Sequence, residues 1–285
     1  MFLIQKLKDL YLKAKKIEYI LYSIHSQITE SLYRERLDNH KNNFAVQHAA
    51  QYFSQSDEDG ITLEILARIS KLKPLNKYFL EFGVGNGCEN NSLILLANGY
   101  KGSWIGGQHL AFSTSGILNL EFHNCWITLD NIVTIYQQAR SQWRINQFDV
   151  VSLDLDGNDF HLISKLLEND CNPDLFICEY NAIFPPNIFW SMPYDENHIW
   201  RRDQYFGASF IQLVTLFQRY NYFPCACNPQ TGANIFFVKN EYRLLFPDVP
   251  DNVSNIYSSA FYRTENKFTH KVSADFIHKM LTSFG

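Results

Sequence analysis

Residues 78–87 read Tyr-Phe-Leu-Glu-Phe-Gly-Val-Gly-Asn-Gly. Tyr78–Phe82 is apolar enough for a buried strand, and Gly83, Gly85 and Gly87 follow at alternate positions. Glycines spaced this way let the backbone turn sharply and approach a ligand closely. Residues 90–98 predict a helix, so the unit is a strand, a glycine loop and a helix N-terminus with free N–H groups. A tight strand-to-helix turn needs glycine in any case. Glu81, just ahead of the loop, adds chemistry. A carboxylate there repels a pyrophosphate and suits an ammonium group or ribose hydroxyls.

Outward from this unit, strand and helix alternate. Further strands are predicted at Gly102–Ile105, Cys125–Thr128, Val150–Asp154, Leu175–Glu179, Tyr222–Ala226 and Asn234–Val238. Helices fit between them at 90–98, 131–142, 160–169 and 207–220. This alternation predicts an α/β fold: a Rossmann-like, doubly wound, mostly parallel seven-stranded sheet. The short turn Asn228-Pro229-Gln230-Thr231-Gly232 makes the last two strands an antiparallel C-terminal hairpin. Residues 182–206 carry three prolines and many rings, and read as an insertion over the strand ends. The polar stretch 37–60 reads as turns, with a helix after it from Ile61. The expected organisation is an N-terminal helical segment 1–50, a main domain 51–240 and a C-terminal extension 241–285.

Residues 1–36 predict one long helix. Leu3, Leu7, Leu10, Ala14, Ile17, Leu21, Ile24 and Ile28 alternate steps of four and three, the period of a coiled-coil seam. Such a seam packs on the chain's own domain or on a second copy, and a homo-oligomer is preferred because the stripe is narrow. Lys6, Lys8, Lys13, Lys15 and Lys16 crowd around Asp9 in the first half, so contact with an anionic membrane surface is a third option.

The chain has 25 basic and 29 acidic residues, so a nucleic-acid partner is not expected. No apolar run approaches the roughly 18 residues of a membrane span. The six cysteines lack disulfide or CxxC spacing and read as reduced thiols of a cytoplasmic protein. Aromatic residues reach 15%, mostly for the core, with some free to form ring platforms for a flat or sugar-like ligand.

Asp154-Leu155-Asp156 ends the fourth predicted strand, and Glu179 ends the fifth. Residues two apart share a strand face, and ligands of open α/β sheets bind at the strand ends. Asp154, Asp156 and Glu179 therefore suit a hard divalent cation such as magnesium. They equally suit a catalytic base with partners for sugar hydroxyls, or caps and salt bridges at loop starts. Asp159 reads as a helix cap. His109 and His161 are further candidates to face the cleft, His198 lies in the aromatic insertion, and His109 joins the catalytic set.

Together these residues resemble class I S-adenosylmethionine (SAM)-dependent methyltransferases, and within them the FkbM-like and sugar O-methyltransferase group. The resemblance rests on Glu81-x-Gly83-x-Gly85-x-Gly87, Ser54-Gln55 with Asp57-Glu58-Asp59, and Glu89-Asn90-Asn91-Ser92. It continues through Gly99 to Ile105, Val151 to Asp159 and Glu179-Tyr180-Asn181, and covers roughly 50–240. It implies SAM as cofactor, a sugar hydroxyl of a glycan or glycosylated intermediate as acceptor, and O-methyl transfer. Glu81, Gly83, Gly85 and Gly87 would line the methionine and ribose part. The acid expected after the second strand is absent, and Gln108 would stand in for it. Asp130 would meet the adenine amine, or else cap the helix starting near Asn131. The competing readings are a nucleotide-sugar glycosyltransferase using Asp154 and Asp156 with a divalent metal, and a non-catalytic methyltransferase-like scaffold.

Overall fold

Strand β1 (Tyr78–Phe82) is central because both of its faces are covered: Phe79, Leu80 and Phe82 are fully buried. A strand buried on both sides reads as a continuous apolar run, which is how it stands out in the sequence. The computed structural model describes residues 2–261 and 274–282. In the sheet, β1 pairs in parallel with β2 (Lys101–Gly106) and β4 (Val150–Leu153). Strand β3 (Leu120–Asn124) pairs with β2, and β5 (Leu175–Glu179) with β4, again in parallel. The hairpin β6 (Tyr222–Cys227) and β7 (Asn234–Lys239) is antiparallel, with β7 laid against β5. The order is β3-β2-β1-β4-β5-β7-β6, the expected seven-stranded, mostly parallel sheet.

The helices are α1 (Phe2–Asn39), α2 (Phe44–Gln47), α3 (Glu58–Ile69), α4 (Leu93–Ala97), α5 (Ile132–Trp143), α6 (Asp159–Leu167), α7 (Phe210–Arg219) and α8 (Ala274–Thr282). One hydrophobic core runs through the sheet and its flanking helices. Ala45 and Val46 of α2 join it, as do Tyr242, Phe246 and Ile277 beyond the hairpin. Phe217 stacks on Phe237 at 3.8 Å and meets Phe176 edge-on at 5.1 Å, so these rings serve the core.

The third strand is not at Cys125–Thr128. Strand β3 lies at the sheet edge with most side chains in solvent, so Leu120–Asn124 carries no apolar run. The apolar run just after it, from Cys125, is a loop held under the insertion by Trp126 Nε1, which donates to the Glu196 carbonyl at 3.0 Å. Helix α3 also starts earlier than expected. Its acidic first turn is buried and tied to the chain ahead of it: Asp59 Oδ2 accepts backbone N–H groups of Tyr52, Phe53 and Ser54 at 2.6–2.9 Å, while its Oδ1 has no partner. Such local carboxylate-to-backbone bonding makes a polar stretch structural.

Helix α1 does not lay its seam on its own domain. Leu10, Ile17 and Leu21 are 65%, 57% and 62% exposed. Leu3 lies outside the residues whose side chains are described. The helix docks by another face near its C-terminal end. Tyr33 Oη donates to Asp57 Oδ2 at 2.9 Å, and the Arg36 guanidinium donates to the carbonyls of Pro229 and Ser259. No described helix is long and apolar enough to cross a membrane.

Candidate active site at the ends of β1, β4 and β5

Glu81 is buried on β1 and faces the loop that follows. Its carboxylate accepts the backbone N–H of Asn91 at 3.0 Å and of Ser92 at 3.2 Å, and also the Ser92 hydroxyl. Trp104 Nε1 donates to that same hydroxyl at 2.8 Å. Burial raises the Glu81 pKa, and these hydrogen bonds oppose the rise. The N–H groups ahead of α4, expected to be free for a ligand, are thus taken by Glu81. Its evident work is to hold the loop 83–92 in shape.

That loop lies against β4. Gly83 has φ +89°, and a Cβ there would sit 1.5 Å from the Asp154 carbonyl oxygen. Gly87 has φ +83° and backs onto Leu110, Phe112 and Trp104. Both positions require glycine for the fold. Gly85 differs: nothing lies within 4 Å of where its Cβ would be. Its backbone therefore borders open space and leaves room for a ligand.

Beyond β4 the chain turns through Asp156 at φ +54°, a left-handed conformation uncommon for a non-glycine residue. Asp159 fastens this turn, accepting the N–H of Leu155 at 2.8 Å and of Gly157 at 2.9 Å. It is the first residue of α6 and not its cap, which is Asn158; its carboxylate serves the turn ahead of the helix. Oxygens of Asp154, Asp156 and Glu179 come within 4.8 Å of one another. Burial, then mutual repulsion, raises the pKa of Asp154 and Glu179 well above the carboxylate range. Asp156, the solvent-facing member, is raised by burial and partly relieved by His198. Glu179 Oε2 is buried without a hydrogen-bond partner. None of the ion pairs among the described residues involves the three. Two half-buried acids and one solvent-facing one, with an orphaned oxygen on Glu179, form a donor set of the kind that magnesium takes.

The insertion 182–206 closes over this turn. The His198 ring packs on Gly157, where a Cβ would meet it at 2.3 Å. Asn158 Oδ1 accepts the Asp195 N–H at 3.0 Å, and its Nδ2 donates to the Asp195 carbonyl at 2.7 Å. His161 bonds the Met192 carbonyl at 2.7 Å, and the Tyr194 hydroxyl accepts the Leu129 N–H at 3.1 Å. His161 is thereby tied to the insertion. His109, Gln108 and Asp130 are exposed, and none joins the carboxylate group. Gln108 contributes its carbonyl, which takes the Asn124 side-chain amide at 2.6 Å. Asp130 is not the cap of α5; Asn131 holds that position, and its Oδ1 accepts the Thr128 N–H at 2.8 Å.

Two residues beyond the expected set matter. His198 was legible as a residue of the aromatic insertion, but its packing on Gly157 beside Asp156 is set by the fold. Asn234 stands opposite Glu179 in the β5–β7 register and donates to Glu58 Oε1 at 3.0 Å. Only strand pairing reveals that neighbour.

No family model matches the chain, and no curated protein matches it. Among solved structures, it is similar to the MycE methyltransferase from the mycinamycin biosynthetic pathway. The complex with Mg, SAH and mycinamycin VI aligns at 12% identity and TM-score 0.32, over 65% of this chain and 53% of that one. The complex with Mg and SAH gives 13% identity and TM-score 0.33 over the same shares. The chain thus spans about half the length of these structures.

Proposed function

We propose that the chain is a SAM-dependent O-methyltransferase acting on a sugar hydroxyl of a glycan or glycosylated intermediate. One observation carries the reading: the carboxylates of Asp154, Asp156 and Glu179 converge at strand ends directly beside the glycine loop. Gly83 touches Asp154, and open space borders Gly85.

SAM, when bound, would supply an electrophilic methyl group on a sulfonium: an O–CH3 bond to the acceptor would form in line as the S–CH3 bond breaks and S-adenosylhomocysteine leaves. The Gly85 backbone edge allows close approach of that cofactor, and the walls at Gly83 and Gly87 keep the loop open. The acceptor hydroxyl must lose its proton, and a carboxylate with a raised pKa is a better base near neutrality than an ordinary one. Asp156, which faces solvent, receives that proton; Asp154 and Glu179 orient the hydroxyl. Magnesium held by the three would supply positive charge beside the acceptor oxygen and relieve their repulsion. Exposed rings on and beside the insertion, Trp126, Trp200 and Tyr205, offer apolar faces to a sugar. Holding the acceptor in line is most of what this displacement needs.

Calorimetry with S-adenosylhomocysteine, with and without magnesium, tests the reading. Binding at the loop, lost in Gly85→Val, supports it. Binding of a UDP-sugar with magnesium and none of S-adenosylhomocysteine replaces it with the glycosyltransferase. Binding of neither leaves the scaffold.

A further inference from the structure

We propose that α1 pairs in parallel, through the seam from Leu7 to Ile28, with the same helix of a second copy of this chain. The seam is open. Leu7, Leu10, Ile17, Leu21, Ile24 and Ile28 are each 47% exposed or more. Apolar stripes of this length are a liability in water unless something covers them.

The helix carries two separate stripes. Tyr22, Ser26, Thr29, Tyr33 and Leu37 are partly buried, and Tyr33 fastens this stripe to the domain at Asp57. At about 100° per residue the two stripes lie roughly 120° apart. A second helix can therefore cover the seam without lifting α1 from its own domain.

The spacing and the charges select the occupant. The four-three order continues over about 22 residues, or about 33 Å of helix. A period of 3.5 keeps a stripe facing another helix that supercoils with it. Leu7, Ala14, Leu21 and Ile28 then occupy a positions, and Leu10, Ile17 and Ile24 occupy d. Lys13 becomes g and Glu18 becomes e of the next heptad. Parallel pairing sets Lys13 beside the partner's Glu18; antiparallel pairing sets g against g and e against e. Ala14 allows close approach midway. A bilayer surface fits less well. Leu12 and Tyr19 are 63% and 71% exposed on the side away from the seam, so no single lipid-facing side forms.

Sedimentation of the full chain at micromolar concentration reads both pairing and strand count. The expected result is a mass at least twice the monomer. Leu10→Glu combined with Ile17→Glu should return the monomer mass, with association weakened at least about 100-fold. Both positions are exposed within the monomer, so an unchanged melting profile confirms that this variant is folded. Mild oxidation of Leu7→Cys should give a disulfide-linked dimer, because only parallel, in-register pairing brings residue 7 to its copy. A monomeric native chain, an oligomer that survives the double substitution, or no Leu7→Cys cross-link overturns the proposal. A monomer that sediments with phosphatidylserine vesicles overturns it in favour of a membrane surface.

Discussion

Two acidic loops lie side by side at the strand ends, and they are satisfied in opposite ways. After β1, Glu81 is buried and receives three donors from the loop it precedes. After β4 and β5, Asp154, Asp156 and Glu179 face one another, and Glu179 Oε2 has no partner. A third buried acid calibrates the contrast. Asp174 is fully buried and is answered by Lys73 at 2.8 Å and Lys239 at 3.5 Å. Buried charge is normally paired or hydrogen-bonded. On the proposed reading the unanswered group takes the ligand and the answered one is scaffold, although the sequence marks Glu81 at least as strongly.

The largest expected effect breaks this comparison if it fails. Asp156→Asn and Glu179→Gln should each lower methyl transfer about 10²- to 10⁴-fold, the usual worth of a positioned acid–base group. Neither should lower the melting temperature, since each removes one like charge from the cluster. Steady-state kinetics with a methylatable acceptor, alongside thermal denaturation, reads both. A variant that keeps full activity, or one that is destabilised, removes that carboxylate from the proposed role.

Glu81→Ala should do the reverse. It leaves three buried donors unsatisfied and opens a cavity, at a cost of about 3 kcal/mol. Urea denaturation measures it. If stability is unchanged while S-adenosylhomocysteine affinity collapses, then Glu81 is a ligand contact and the contrast dissolves.

The glycines sharpen the same comparison. Gly85→Val should fold normally and lose S-adenosylhomocysteine affinity at least about tenfold, because its side chain enters open space where a ligand would lie. Gly83→Ala should instead destabilise the protein, since its Cβ collides with the Asp154 carbonyl. Calorimetry paired with thermal melting separates them. Normal binding by Gly85→Val would put the cofactor elsewhere.

What was legible in the sequence follows from burial. Strands β1, β4 and β5 are covered on both faces, so their apolar runs are continuous and their ends mark the site. Strand β3 is at the solvated edge, and the neighbouring run from Cys125 outweighed it. Asp154 and Glu179 were legible because adjacent parallel strands end together; Asp156 joins them through the left-handed turn beyond Leu153 and not by strand alternation. The partners of Glu81 were hidden in the loop's closure, and His198 in the path of a 25-residue insertion. Asn234 required the register of an antiparallel pair. The seam of α1 was plain as a period, but period alone does not say which surface covers it.

The smallest expected effect is the pH dependence of stability without metal. Burial raises Asp159 to about 6, Asp59 to about 6 and Asp57 to about 7, each opposed by hydrogen bonds. Repulsion from Glu58 adds to the rise at Asp57. All three sit above the unfolded value of about 4. The folded state therefore binds protons more tightly, and its advantage is complete below about pH 4 and lost as pH climbs through 6 to 7. Asp248, lowered by its hydrogen bonds to Arg68, works in the opposite direction but only at more acid pH. Urea midpoints in EDTA should thus decline between pH 5 and pH 8. Asp57→Asn should flatten the part of the decline near pH 7. Magnesium should flatten the remainder above pH 6, because it binds the deprotonated trio and stabilises only the folded chain. A midpoint that rises with pH in EDTA would mean that these buried acids are ionised at little cost. The unanswered carboxylates at β4 and β5 would then need no cation.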